Sequence, residues 1–259
     1  SVASRGLGDV YKRQVIIVII TIARKNMENQ NQVQNLLVAQ ANQADRSTFY
    51  KNTYGHVAGG VLVFVIIESL MLRSETLVNF MLSLTQGYLW LALLAGFMGV
   101  TWVAQKMAYG SASKSQQYVG YLIYIIAEAL LFVPLLYIAL AYGGQYVIKQ
   151  AAVVTGGLFV GLSVIVFLTK TDFSVLKGAL TIGFFLAIGL IIAGMLFGFD
   201  LGLWFSVGMC ALAGGAILYN THQLKHEFGT QQYVAAALSL FASLMLLFWY
   251  ILRVFMSRD

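Results

Sequence analysis

Charged residues, cysteine and proline are scarce in this sequence, and each scarcity excludes something. Only 10% of the 259 residues are charged, against about 25% in a typical soluble domain, so water is not the main solvent of the folded chain. The single cysteine, Cys210, cannot form a disulfide within the chain. The single proline, Pro134, lies inside a long apolar segment. There it removes one helical hydrogen bond, so we expect a helix kink.

Apolar residues are abundant instead, at 59% of the chain with a mean hydropathy of +0.79. Lipid offers no hydrogen-bond partners to the backbone, so the segments that span a membrane are helices or closed β-barrels. Each spanning helix needs roughly 20 apolar residues. The near-continuous apolar runs lack the strict alternation of barrel strands. We predict an all-α integral membrane protein, a seven-transmembrane helix bundle. The predicted spans are 56–72, 87–104, 119–142, 151–168, 176–197, 201–220 and 233–255.

The first 26 residues are set apart from the fold. The stretch SVASRGLGDVYKRQ resembles translated sequencing-adapter read-through, and Met27 opens a polar segment, so we expect 1–26 to be a non-native leader. The alternative is a signal peptide with an apolar core at 15–22, but Arg24 and Lys25 stand where small residues should mark its cleavage. The expected organisation is then a polar cytoplasmic tail over 27–53 and a seven-helix transmembrane domain over 54–259.

The distribution of charge indicates an orientation. From Met27 onward the chain has eleven Lys/Arg and nine Asp/Glu, a net charge of +2, which provides no basic surface for nucleic acid. Cytoplasmic loops carry an excess of Lys and Arg. We therefore predict a cytoplasmic N-terminus. The seven basic residues on that side are Arg46, Lys51, Lys106, Lys114, Lys170, Lys177 and Lys225, and the four on the other side are Arg73, Lys149, Arg253 and Arg258.

Two glutamates fall inside predicted spans and are the first candidates for function. A charged side chain at the bilayer centre costs about 2.5–3.5 kcal/mol on insertion scales, so residues of this kind mark ion or proton paths. Glu128 falls near mid-membrane in the third span. Glu68 falls in the last turns of the first span, where we expect solvent to reach it. The alternative for both glutamates is a structural role, in which the carboxyl group pairs with a polar group of a neighbouring helix.

No enzyme or metal centre is indicated. His222 and His226 stand four residues apart next to Glu227, but zinc wants three or four ligands and Lys225 between them opposes a cation. No phosphate loop, nucleophile elbow or zinc-protease motif occurs. We expect neither catalytic residues nor a cofactor.

The C-terminal 46 residues carry a family resemblance. The segments GAILYNTHQLKHE and ALSLFASLMLLF and the closing SRD resemble the Bax inhibitor 1 family, in particular its bacterial YccA-like branch. FLTKTDFSVLKG and LFVPLL add weaker matches, and together these cover the chain from Tyr54 to its end. The resemblance implies a seven-helix bundle with the last helix packed centrally, in a bacterial inner membrane.

The resemblance also implies a function, with one departure. Calcium-leaking members carry two aspartates on the last two spans that close the pore in a pH-dependent way. Here the corresponding residues are Asn220 and Ser243, which do not titrate but can hydrogen-bond. We therefore weigh two hypotheses. One is a calcium or proton leak whose path involves Glu128, Glu68, Asn220 and Ser243. The other is a non-transporting modulator of membrane-protein quality control or stress responses, with a membrane-protein partner such as a membrane protease.

Overall fold

A computed structural model describes residues 36–110 and 113–257, so the expectations for 1–26 and for most of the polar tail lie outside the described residues. Within those ranges the chain forms eight α-helices and two 3-10 turns, and no strand longer than an isolated bridge. Seven of the helices are long and apolar enough to cross a membrane, which confirms the predicted fold class. The α-helices are α1 (Gln43–Met71), α2 (Glu75–Leu84), α3 (Leu89–Gly110), α4 (Lys114–Tyr142), α5 (Gly144–Leu168), α6 (Leu176–Phe197), α7 (Gly202–His226) and α8 (Tyr233–Met256).

Polar caps set where several helices begin. The Asn42 side chain accepts a hydrogen bond from the Asp45 N–H at 2.9 Å, so α1 starts well before the apolar segment predicted from residue 56. The short helix α2 was not predicted, because ten residues are too few to span a bilayer. It begins at a Ser74 cap and packs Val78 and Met81 into the bundle. Between α6 and α7, Gly202 N–H donates to Asp200 Oδ1 at 3.1 Å.

The last helix lies at the centre of the bundle, as the resemblance implies. In α8, 72% of the membrane-spanning window is buried, against 11% in α3 and in α6. It packs against α1, α3, α4, α5 and α7. Five consecutive residues, from Val234 to Leu238, have no exposed surface. A helix that is covered all round in this way replaces lipid contacts by helix contacts on every face.

Pro134 lies inside α4 and is buried between Val133 and Leu135. The helix runs without interruption from Lys114 to Tyr142, so the proline does not end it. The lost hydrogen bond is a local change within one continuous span.

A short segment before α1, residues 36–41, docks on the connection between α7 and α8. Leu37 and Gly229 form an antiparallel bridge. Val38 N–H donates to the Phe228 carbonyl at 2.9 Å, and Thr230 N–H donates to the Leu36 carbonyl at 3.0 Å. Val38 is fully buried. The end of the bundle where α1 begins, called the N-side below, is therefore covered by this N-terminal segment and by the connection between α7 and α8.

Candidate ion path and buried carboxylates

Glu128 is the middle residue of α4 and is 6% exposed. Its Oε1 accepts a hydrogen bond from the Tyr124 hydroxyl at 2.7 Å. The two side chains meet because residues four apart on a helix share a face. No ion pair reaches Glu128 within the described residues. The carboxyl group is therefore held by one neutral donor, deep in the bundle.

A cavity of about 550 Å³ extends from Glu128 to the far side, the end of the bundle opposite the N-side. Its walls come from α3, α4, α6, α7 and α8. Asp200 and Arg253 line its far end, where Asp200 is exposed. Ser243 of α8 lines the same cavity. We call this space the Glu128 cavity.

Asn220 and Ser243 form a direct contact between α7 and α8. Asn220 Nδ2 donates to Ser243 Oγ at 2.6 Å and to the Ser239 carbonyl at 3.2 Å. Ser243 is 5% exposed. The structure thus brings together three of the four residues considered for an ion path, because Glu128 and Ser243 share a cavity and Asn220 is bonded to Ser243.

Aromatic side chains close the Glu128 cavity towards the N-side. Tyr124 contacts Phe97 and Phe241 at ring-centroid distances of 6.3 and 6.1 Å. One turn nearer the N-side, Tyr121 contacts Phe241 at 5.9 Å and donates to the His56 carbonyl at 2.9 Å. We call Phe97, Tyr121, Tyr124 and Phe241 the aromatic seal. The aromatic seal lies about one turn from Glu128 on its N-side, and the cavity lining continues from Glu128 to Asp200 and Arg253 at the far side.

Glu68 lies elsewhere. It is 4% exposed, so the expected solvent access is wrong: α4, α5 and α8 cover this part of α1. It belongs to a second cavity of about 420 Å³, the Glu68 cavity, whose lining comes from α1, α4, α5 and α8. Phe132 and Phe248, stacked at 5.7 Å, lie between the two cavities. Glu68 is therefore not at a mouth of the Glu128 cavity.

The histidines on α7 have an acidic partner that the sequence did not indicate. His222 Nε2 lies 3.2 Å from Asp172 Oδ1, and the rings of His222 and His226 are 4.5 Å apart. Hydrogen bonds from Ser174, with a smaller contribution from His222, lower the pKa of the exposed Asp172. Over the described ranges, no group of three or more His, Cys, Asp or Glu residues is placed to hold a metal. Asp172 is fifty residues from His222 in the chain, so spacing alone could not have paired them.

Comparison with known proteins adds a family match over most of the chain. The sequence model described as "Inhibitor of apoptosis-promoting Bax1" matches residues 46–259. The chain is 30% identical over 235 residues to the uncharacterized protein PA2604 of Pseudomonas aeruginosa, which covers 87% of this chain and 96% of that protein. It is also 30% identical over 112 residues to the Mus musculus protein lifeguard 4, which covers 42% of this chain and 46% of that protein.

Proposed function

The chain belongs to the Bax inhibitor 1, YccA-like family, and on that premise we propose that it is a cation leak pathway, for calcium or protons, centred on Glu128. The observation that supports this most directly is one buried carboxyl group in a cavity whose lining continues from Glu128 to the exposed Asp200 at the far side. An acid without a basic partner at membrane depth is costly, and such residues serve ion and proton paths.

The route in this proposal begins at the far side. A cation first meets Asp200, whose exposed carboxylate attracts it. It then meets Arg253, whose positive charge repels the cation and limits its entry. Glu128 and the Ser243 hydroxyl then offer oxygen ligands in place of water, the ligand type that calcium prefers. Passage to the N-side needs the aromatic seal to move, because its rings are packed against one another.

The pH response is assigned to Glu128 in this proposal. The Asn220–Ser243 contact is neutral in both partners, so a paired-acid latch cannot operate there. Protonation of Glu128 removes the one negative charge that the cavity holds at membrane depth. Calcium flux should therefore fall as the pH is lowered.

The second candidate is a non-transporting modulator of membrane-protein quality control or of a stress response. The aromatic seal supports it, because the cavity ends at packed rings and is not continuous with the N-side. In this case the Glu128 cavity would serve helix rearrangement or contact with a partner protein.

Ion flux in proteoliposomes separates the two candidates. Wild type, Glu128→Gln and Glu75→Gln would be compared between pH 6 and pH 8, with calcium and proton indicators inside the vesicles. Glu75 is an exposed carboxylate at the start of α2, so its variant controls for loss of one negative charge. We expect flux in wild type and in Glu75→Gln, and a reduced, pH-insensitive flux in Glu128→Gln.

Two results would contradict the leak. One is the absence of protein-dependent flux in wild type, which would leave the modulator. The other is a Glu128→Gln protein whose flux and pH response match wild type, which would move the path away from this cavity.

A further inference from the structure

Glu68 is a buried acid that nothing in the proposed leak uses. It lies three residues before the end of α1 and is 4% exposed, and neither of its carboxyl oxygens has a hydrogen-bond partner within the described residues. Glu128, by contrast, has Tyr124 as a donor. An unsatisfied buried carboxyl group is costly, and each one in a native structure calls for an explanation.

Four other polar side chains line the Glu68 cavity, and none of them bonds to the Glu68 carboxyl group: Ser69, Gln145, Lys149 and Thr155. Gln145 is exposed at the far side. The Ser69 hydroxyl donates to the Val65 carbonyl at 2.6 Å, and the Thr155 hydroxyl donates to the Ala151 carbonyl at 2.7 Å. Lys149 is the one cation that lines the Glu68 cavity. Its side chain is exposed at the far side and forms no ion pair with Glu68. The hydrogen-bonding capacity of Glu68 is therefore available to a molecule that enters the cavity.

The Glu68 cavity has the lining of an amphiphile site, with one carboxyl group among mostly apolar side chains. Its walls are largely apolar, and Phe64 and Phe248 add aromatic rings, whose faces attract cations. Val65, which lines the cavity, is 51% exposed, and the lining residue Ser69 is exposed as well, so the cavity borders the outer surface of α1. A ligand can reach it from the bilayer without crossing the bundle.

We propose that the Glu68 cavity binds an amphiphilic amine from the bilayer, with its protonated nitrogen at the Glu68 carboxylate and its apolar body against Phe64, Phe248 and the α5 wall. The ammonium group supplies the donors and the positive charge that Glu68 lacks. The site is separate from the Glu128 cavity, so it stands independently of the leak.

A pair of matched probes tests the site. The probes are 1-aminoadamantane, a compact apolar cage with a protonated amine, and 1-adamantanol, the same cage without the charge. Binding would be measured by isothermal titration calorimetry to the full chain in nanodiscs, with the heat of empty nanodiscs subtracted. We expect saturable binding of the amine to wild type and to Glu75→Gln. Glu68→Gln should weaken it at least about tenfold, as should the use of the alcohol, because a hydrogen bond to a charged group is lost.

A second variant pair tests the cavity without touching the carboxyl group. Gly156 lines the Glu68 cavity and Gly157 does not, and a Cβ added at either meets no atom within 4 Å. Gly156→Leu should therefore fill the cavity and abolish amine binding, whereas Gly157→Leu should bind as wild type does.

Three outcomes would overturn the proposal. The first is no saturable binding of the amine to wild type above the empty nanodiscs. The second is wild-type affinity in both Glu68→Gln and Gly156→Leu. The third is loss of binding in Glu128→Gln while Glu68→Gln retains it, which would place the amine in the other cavity.

Discussion

At the scale of single residues, the two buried glutamates differ in what surrounds them. Glu128 has a tyrosine donor one turn away and shares its cavity with Ser243. Glu68 has no donor among the described residues, and a wall of aromatic rings separates it from Glu128. Two glutamates in similar apolar segments thus have different surroundings in the fold. We assign ion passage to Glu128 and amine binding to Glu68.

The Asn220–Ser243 contact leads to a prediction at this scale. Replacing both residues by aspartate should make the stability of the bundle depend on pH. Two carboxylates at the 2.6 Å separation of the present partners repel each other when both are charged, and share a hydrogen bond when one is protonated. The double variant should therefore be less stable than wild type at pH 8 and recover as the pH falls to 5. Thermal unfolding in nanodiscs at the two pH values would measure this.

The single variant Asn220→Ala is the control for that experiment. It removes both neutral hydrogen bonds of Asn220 without adding charge. At the membrane average of about 0.6 kcal/mol per bond, the loss of stability should be the same at both pH values. A double variant with the same melting temperature at pH 5 and pH 8 would contradict the expected proton sharing.

At the scale of elements, the segment 36–41 is more than a linker to α1. Its backbone pairs with the α7–α8 connection, and Val38 is inserted among buried residues that include Leu224 and Phe228. Helices α7 and α8 carry the Asn220–Ser243 contact. The segment therefore ties the start of the fold to the helix pair that is most important for the family resemblance.

Val38→Asp should release this segment. Burying an unpaired charge where an apolar side chain was covered costs about 2–4 kcal/mol, so the melting temperature should fall. Leu37→Asp is the matched control, because Leu37 is 36% exposed and a charge there can reach water. Limited proteolysis would show whether 36–41 is cut faster in Val38→Asp. Equal melting temperatures and equal cleavage in both variants would contradict the structural role.

At the scale of the whole molecule, seven spans place the two ends of the bundle on opposite sides of a membrane. The N-side carries more Lys and Arg than the far side, which predicts that it faces the cytoplasm. The lining of the Glu128 cavity reaches the far side at Asp200 and Arg253. In a bacterial plasma membrane this far end would then lie away from the cytoplasm, and the aromatic seal would separate the cavity from the cytoplasmic face.

Reporter fusions test this orientation. Alkaline phosphatase is active only outside the cytoplasm and green fluorescent protein fluoresces only inside it. Fused after Asp259, the phosphatase should be active and the fluorescent protein dark, since an odd number of spans carries the chain across. The opposite pattern would reverse the orientation and place the far end of the Glu128 cavity on the cytoplasmic side.

The element boundaries show how far sequence reasoning reached. The predicted span 176–197 coincides with α6, because an apolar run between polar loops sets both ends. The prediction placed the end of α7 at Asn220, but the helix continues to His226. The last turns of α7 are polar and lie at the N-side. The helix continues there through its backbone hydrogen bonds, although its side chains are no longer apolar. Helix α2 was not predicted, because it is too short to span a membrane and the prediction considered only spanning segments.

The sequence by itself determined that this is a membrane protein, that it is helical, that it has seven spans and which family it resembles. Hydropathy and backbone hydrogen bonding are local properties of each segment, so they can be inferred without the fold. Only the tertiary structure decided which polar residues meet. It placed Glu128 with Ser243 and Asn220, and it paired His222 with Asp172. It also isolated Glu68 in a cavity of its own. Such pairings depend on how helices far apart in the chain pack around α8, and no spacing along the chain encodes that packing.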